Sequence, residues 1–210
     1  MNYGFKMSKL KGNEPVLSVS DNITLPLKYS YQNFLPPVYD QGNEPWCVPY
    51  SLSTHLNWNH NIDTDGNVKR ENYVEVKDIY KMRKNIFKDD GMSFLEALDY
   101  LKKKGVKCKN GRMKIRGYAK VTSAMSLKYA LLMNGPCVGA LRVYNDSDYF
   151  WRREYQGQEM IGGHAIAIVG YDEENFIIRN SWGKSWGFKG YTYMPFSEVS
   201  KFLEIWTIYD

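Results

Sequence analysis

The chain is short of cysteine. Among its 210 residues there are three, Cys47, Cys108 and Cys137. An odd, low number is no disulfide framework and points to a reducing compartment, the cytoplasm or, for a viral protein, a host cytoplasm. Histidine is as scarce: His55, His60 and His164. Zinc wants about four ligands at close spacing, and no Cys-x-x-Cys pair exists, so neither a metal nor a cofactor is expected. No run of about 18 apolar residues occurs, which excludes a helical membrane span. Residues 1–11 are polar and mixed, without the apolar centre of a secretory signal. The net charge of +5 is modest and scattered, densest at Lys102–Lys104 and from Lys107 to Lys120. With no nucleic-acid signature beside it, that charge reads as solvated surface. Gly183-Lys184-Ser185 has the ending of a phosphate loop, but Ile178 stands where its first glycine would have to be. No repeat or low-complexity tract is present.

What is there suffices for a sizeable core: 43% hydrophobic and 15% aromatic residues, in one integrated domain of two packed parts. Residues 1–24 show little periodicity and read as an extension. Leu35-Pro36-Pro37-Val38 is a stiff, extended entry. From Cys47 the pattern turns helical, with Val48, Leu52 and Leu56 in register and Pro49 tolerated in the first turn. Residues 60–72 form a polar loop. A second helix is expected from about Val74 to Phe87, broken at Asp89-Asp90-Gly91. A third starts at Ser93, whose partner Glu96 completes a capping box, and ends at Gly105. Met113 to Val121 alternates with period two, as one half-buried strand would. Ser123 caps a helix through Met133. Strands follow at Cys137–Tyr144, Ala165–Tyr171, Phe176–Asn180, Tyr191–Met194 and Ile205–Tyr209, with a helical turn near Ser197–Phe202. Helices first and strands second make an α+β molecule: an extension at 1–24, a helical part at 25–110, a β-rich part at 111–210, and a cleft between the parts.

The chemistry is expected in that cleft. Cys47 stands where a helix begins, so free backbone N–H groups and the positive end of the helix dipole face its thiol; both favour thiolate. Gln41, six residues earlier, offers an amide to a developing oxyanion. A thiol nucleophile needs a base. His55 lies two turns along the same helix, a rise of about 12 Å, and cannot reach the thiol; His60 is farther. His164 remains, in Gly162-Gly163-His164-Ala165, at the start of an apolar strand. Asn180, sixteen residues on, can accept from its imidazole, with Trp182 covering the contact. Cys108 and Cys137 read as core.

Gln-Gly with Cys six residues after the Gln, Gly-His-Ala followed by Val-Gly-Tyr, and Asn-Ser-Trp-Gly followed by Trp-Gly and Gly-Tyr resemble, in that order, the papain-like cysteine peptidases, including short bacterial and viral members. The resemblance covers about residues 25–210. It implies a helical subdomain carrying Cys47 and a β-rich subdomain carrying His164 and Asn180, with Gln41 and the Cys47 N–H as oxyanion donors. It implies a monomer hydrolysing protein or peptide substrates through a thioester. It also implies a substrate clamp at Gly91 and Met92, and a pocket for the second residue before the cut at Phe94, Ala140 and Gly163. Three residues depart from the family pattern. Glu44 replaces a cysteine that is disulfide-bonded in secreted members, Val48 an aromatic, and Met92 a glycine, which points to a narrower cleft. Glu44 either raises the thiol pKa by like charge or faces solvent. Only some 24 residues precede the matching region, and plugging the cleft is their candidate role. The rival readings are a non-catalytic peptide-binding protein on this fold, and an acyl transferase or transamidase.

Overall fold

Helix α1 (Cys47–Ile62) is the beam on which both halves rest. In this computed structural model, which describes residues 3–20, 23–62, 69–71, 73–84 and 91–210, α1 is buried on nearly every face. Val48, Leu52 and Leu56 are fully buried, as their spacing predicts, but so are Ser53, Thr54, His55 and Asn57. The hydroxyls are satisfied locally: Ser51 donates to the Val48 carbonyl, and Ser53 and Thr54 to that of Tyr50. His55 spans from the Pro136 carbonyl to the Asp210 carboxylate, 2.7 Å each, and is a structural histidine. His60 stacks on Tyr73.

The helical half adds α2 (Val76–Tyr80) and α3 (Phe94–Lys103). The second helix is much shorter than its apolar spacing suggests. Asn57 explains where it starts: its Oδ1 accepts from the N–H groups of Tyr73 and Val74 and its Nδ2 donates to the Val74 carbonyl, so Val74 is held outside the helix. Ile86, Phe87, Asp89 and Asp90 lie outside the described residues. At α3 the expected cap is half present. Ser93 Oγ accepts from the Glu96 N–H, but the Glu96 carboxylate turns to the Lys84 N–H instead of back to Ser93.

The expected single strand at 113–121 is two. β2 (Val106–Cys108) pairs with β3 (Gly111–Met113) in a small ribbon, and the chain then crosses to the main sheet as β4 (Gly117–Lys120). The alternation runs on through buried Ile115, Ala119 and Val121, although Gly111 and Arg112 of β3 are exposed. After α4 (Ala124–Asn134), whose Ser123 and Ser126 form a reciprocal capping box, come β5 (Cys137–Val143), β6 (Gly162–Tyr171), β7 (Asn175–Arg179), β8 (Tyr191–Pro195) and β9 (Phe202–Tyr209). All pairings are antiparallel, in the order β4-β9-β5-β6-β7-β8. A short β1 (Tyr29–Ser30) takes up the edge of β6 beyond the end of β5. One face of β5, β6 and β9 supplies Val138, Ala140, Ala165, Trp206 and Ile208 to the core under α1 and α3; the other closes over Leu141, Ile166, Ile168 and Ile205. No helix among the described residues is long and apolar enough to cross a membrane.

Candidate active site

Four segments converge at the junction of the halves. The Trp46 carbonyl accepts the first helical bond, from Tyr50 N–H at 3.0 Å, so Cys47 and Val48 lie in the first turn with N–H groups free of helical partners. The loop before them is pinned to the β-half. Gln41 N–H donates to the Ser181 carbonyl and Gly183 N–H to the Tyr39 carbonyl. Gln41 Oε1 accepts from Ser181 Oγ at 2.7 Å, which leaves Nε2 as the free-facing end; one of its hydrogens goes to the Glu44 carbonyl at 2.9 Å. Ser181 thus fixes which way the Gln41 amide points. Spacing did not single it out, although it follows Asn180 directly.

His164 is the third residue of β6 and is completely buried. One ring nitrogen, Nε2, lies 2.7 Å from Asn180 Oδ1, and the same oxygen accepts from Ser181 N–H at 2.8 Å. An oxygen that accepts twice requires the proton on Nε2. Nδ1 then carries the basic lone pair, and it is buried without a hydrogen-bond partner. Trp182 lies over the ring at 4.6 Å between centroids, and Phe150 packs against both. Trp182 matches its expected role as cover. Phe150 went unnoticed in the sequence because it sits in the irregular stretch between β5 and β6.

A segment of the same chain fills the cleft. Residues 3–8 run between the halves as a strap. Phe5 makes a parallel bridge with Met92: Met92 N–H donates to the Gly4 carbonyl at 3.0 Å, and Lys6 N–H to the Met92 carbonyl at 3.1 Å. Phe5 packs on Phe94 at 5.9 Å and over Gly163, and shares a cluster with Ala140 and Ala165. Tyr3 lies against Gly162, His164 and Trp182. Ser8 ties the two halves: its N–H donates to Glu204 at 3.2 Å, and its Oγ accepts from Leu95 N–H at 3.1 Å. The strap touches Gly91, Met92, Phe94, Gly163 and Trp182 and shares its cluster with Ala140, so it passes along every residue expected to hold substrate. Farther on, Pro15 and Leu17 pair with Lys120.

Gly4 is the narrowest point. A Cβ there would lie 1.9 Å from the Pro45 carbonyl oxygen, and a Cβ on Gly91, at φ +87°, would lie 1.8 Å from the Gly4 oxygen. The Gly4 N–H faces the Cys47 sulfur, while its carbonyl is turned to Met92. The strap therefore shows the thiol a donor, with the Gly4 carbonyl turned away to Met92.

Burial under the strap sets the electrostatics. It pushes the Cys47 thiol up to about 11, against the opposing pull of the N–H groups of Ala165, Gly4, Val48 and Cys47. It pushes His164 down to about 4, with the Asn180 bond opposing. The pull toward thiolate expected at the helix start is therefore present, but removal from water opposes it, raising the thiol and lowering the imidazole. Glu44 is exposed and plays no part in that shift. Met92 is wholly buried with the helical-half core, and its backbone does the pairing. A cavity of about 360 Å³ lies beside the strap, bordered by Lys6, Lys11, Arg83, Ser93 and Asp99. It stands apart from the thiol because the strap fills the cleft proper. Cys108 is half-buried, Cys137 is buried, and all three cysteines are free. No cluster of metal-ligating side chains occurs among the described residues.

The architecture is that of solved papain-like proteases. Xylellain, a cysteine protease from Xylella fastidiosa, superposes with a TM-score of 0.81 at 23% identity, over 99% of this chain and 96% of that one. A procathepsin B from Trypanosoma congolense gives 0.78 at 15%, over 100% and 87%. The family model described as papain family cysteine protease matches residues 51–202, and the chain belongs to that family. His164 and Asn180 fall inside the match; Gln41 and Cys47 precede it. Curated relatives match over short stretches. A peptidase C1-like protein of Acanthamoeba polyphaga mimivirus is 47% identical over 45 residues, 20% of this chain and 14% of its own length. A cathepsin B-like protein of Giardia intestinalis is 39% identical over 75 residues, 32% of this chain and 25% of its own.

Proposed function

We propose that the chain is a thiol peptidase, held latent while residues 3–8 are seated. The carrying observation is the fixed tautomer of His164: Asn180 holds the proton on Nε2, and the bare Nδ1 faces no other partner. Once the strap leaves and water enters, both burial-driven shifts relax and the pair can ionise. His164 Nδ1 takes the Cys47 proton, and the thiolate adds to a peptide carbonyl. The oxyanion is met by Gln41 Nε2 and the Cys47 N–H. Collapse expels the amine, protonated by His164, and leaves a thioester. Water, deprotonated by His164, then frees the acid and the thiol.

The substrates are proteins or peptides. The strap supports this reading, since an extended backbone already pairs with Met92 and places side chains against Phe94, Gly163 and Trp182. Three free cysteines support a reducing compartment. The test is cleavage of a broad peptide library by the full chain and by a strap-displaced variant. Cleavage that rises when the strap is displaced and vanishes in Cys47→Ala supports the proposal. Stable peptide binding without turnover in both forms refutes it, and products carrying an added amine in place of water would mean transfer instead of hydrolysis.

A further inference from the structure

A groove of about 680 Å³ lies on the β-half, and none of the strap residues borders it. Four cations line it, Arg142, Arg152, Arg153 and Lys201, against one carboxylate, Glu198. That carboxylate is already engaged. It accepts from Arg152 Nε at 2.9 and 3.1 Å and from Trp151 Nε1 at 2.7 Å. Arg142, Arg153 and Lys201 are exposed and make no ion pair among the described residues. Three positive charges therefore meet in one concave surface without a counter-charge. The acids of the neighbouring loop, Asp146, Asp148 and Glu154, do not border the groove, and Asp148 lies beside Gly187.

The walls are set before any partner arrives. Tyr144 N–H donates to the Phe150 carbonyl and Asn145 Nδ2 to the Arg152 carbonyl, each at 2.9 Å, which folds the segment after β5 back on itself. Arg153 lies over the Tyr144 ring at 5.1 Å. Glu198, in the 3-10 helix Phe196–Lys201, ties that segment to the approach of β9. Side chains already held lose less freedom on binding. The groove also has a fixed place beside the cleft. Arg142 pairs with Gly163, and directly paired residues project to the same face. A Cβ on Gly163 would meet the Phe5 ring at 2.7 Å. Arg142 therefore projects on the face that the strap crosses, and a polypeptide in the cleft lies alongside it.

We propose that this groove docks an acidic stretch of the protein being cut, away from the bond that is cut. Single exposed ion pairs are weak, so the partner must bring several carboxylates together. Arginine forks engage carboxylates bidentately. A peptide is the occupant because the neighbouring cleft already holds an extended backbone, that of residues 3–8. Docking raises the local concentration of the scissile segment. It strengthens ground state and transition state alike, so it lowers KM and leaves kcat unchanged.

The docking role rests on the peptidase reading, so the experiment has a binding arm and a kinetic arm. In the first, a hexaglutamate peptide carrying a neutral dye is titrated with full-length Cys47→Ala protein and followed by fluorescence anisotropy. Saturable binding is expected, weakened about tenfold or more between about 50 and 300 mM salt and absent for the hexaglutamine peptide. Joint Arg142→Gln, Arg153→Gln and Lys201→Gln substitution, all at exposed positions, should weaken it about tenfold or more. In the second arm, Gly4→Leu protein cleaves one peptide with and without a hexaglutamate tail on a Gly-Ser linker. The tail should lower KM about tenfold at constant kcat, and the triple substitution should remove that gain while leaving the untailed peptide unaffected. No saturable binding, or binding unmoved by the triple substitution, overturns the proposal. So does a KM that ignores the tail, or tighter binding of a single-stranded oligonucleotide that is lost in the same variant. Salt-sensitive peptide binding at these three residues with neither peptide cleaved sustains the groove and rejects the peptidase reading.

Discussion

Replacing Gly4 with leucine should open the cleft. The new Cβ would meet the Pro45 oxygen at 1.9 Å, its carbonyl carbon at 2.4 Å and its Cα at 2.7 Å. All three are backbone atoms, so no side-chain rotation relieves the contact. Forcing extra carbon into a filled space costs about 1–3 kcal/mol where neighbours can give. Here the neighbours are Pro45, two residues before the nucleophile, and Gly91 on the opposite wall, so the upper end applies. At about 1.4 kcal/mol per decade, roughly 3 kcal/mol shifts the seated-to-displaced ratio about a hundredfold. Cys47 is wholly buried in the seated form, so its alkylation reads the displaced fraction. The assay is the rate of modification by a thiol-directed epoxide at pH 7.5, mapped by mass spectrometry, in wild type and Gly4→Leu. Phe5→Ala is the independent second variant, since loss of that buried ring weakens the seat by about 2 kcal/mol. Leu10→Ala, at an exposed position, is the control and should leave the rate within a factor of about two. Equal Cys47 rates in wild type and both cleft variants would refute the strap as a barrier.

Other outcomes follow from the same geometry. In the strap-displaced background, Gln41→Ala should lower kcat by about 10²–10³-fold through loss of one oxyanion donor, read by steady-state kinetics on a cleaved peptide. Asn180→Ala frees the His164 ring to take the other tautomer, and kcat should fall on the order of 10²-fold or more. The pH dependence has a definite sign. His164 is depressed from 6.5 to about 4 in the seated form, so displaced or unfolded states bind its proton more readily. Stability is therefore lost as pH falls below about 6.5 and the loss levels off near 4; at about 1.36 kcal/mol per unit it totals about 3 kcal/mol. Cys47, raised from 9.0 to about 11, causes a corresponding loss above about pH 9. Denaturant titrations across pH 4–7 should show His164→Gln flattening the acid limb; an unchanged limb contradicts the assigned cause.

The candidate catalytic residues could be picked out in the sequence because the chemistry leaves few choices. One cysteine stands at a helix start, and of three histidines one lies too far along that helix and another farther still. The blocks around Gln41, Cys47, His164 and Asn180 then come in the family's order. The strands after Cys137 were legible from their long apolar runs and the Asp172–Asn175 turn. The strap's path was not, because its fit depends on Gly4, Pro45 and Gly91, distant in the chain, meeting within a Cβ radius. The burial of the thiol escaped for the same reason: helix-start donors are visible locally, but the residues that pack over the site come from 3–8. The alternation at 113–121 concealed a break, since Ile115, Ala119 and Val121 are buried at odd positions in and beyond it and the period does not change where β3 ends and β4 begins. The start of the second helix was placed too early because the clamp by Asn57 on Val74 leaves no mark in local pattern.

The most direct test of the central claim joins one reagent to one substitution. Strap-displaced protein is treated with a thiol-directed epoxide and mapped, while peptide cleavage is followed in the same sample. The structure predicts modification at Cys47 alone, loss of cleavage in proportion to modification, and neither event in Cys47→Ala. Modification that lands on Cys108 or Cys137, or cleavage that persists without the Cys47 thiol, would contradict it.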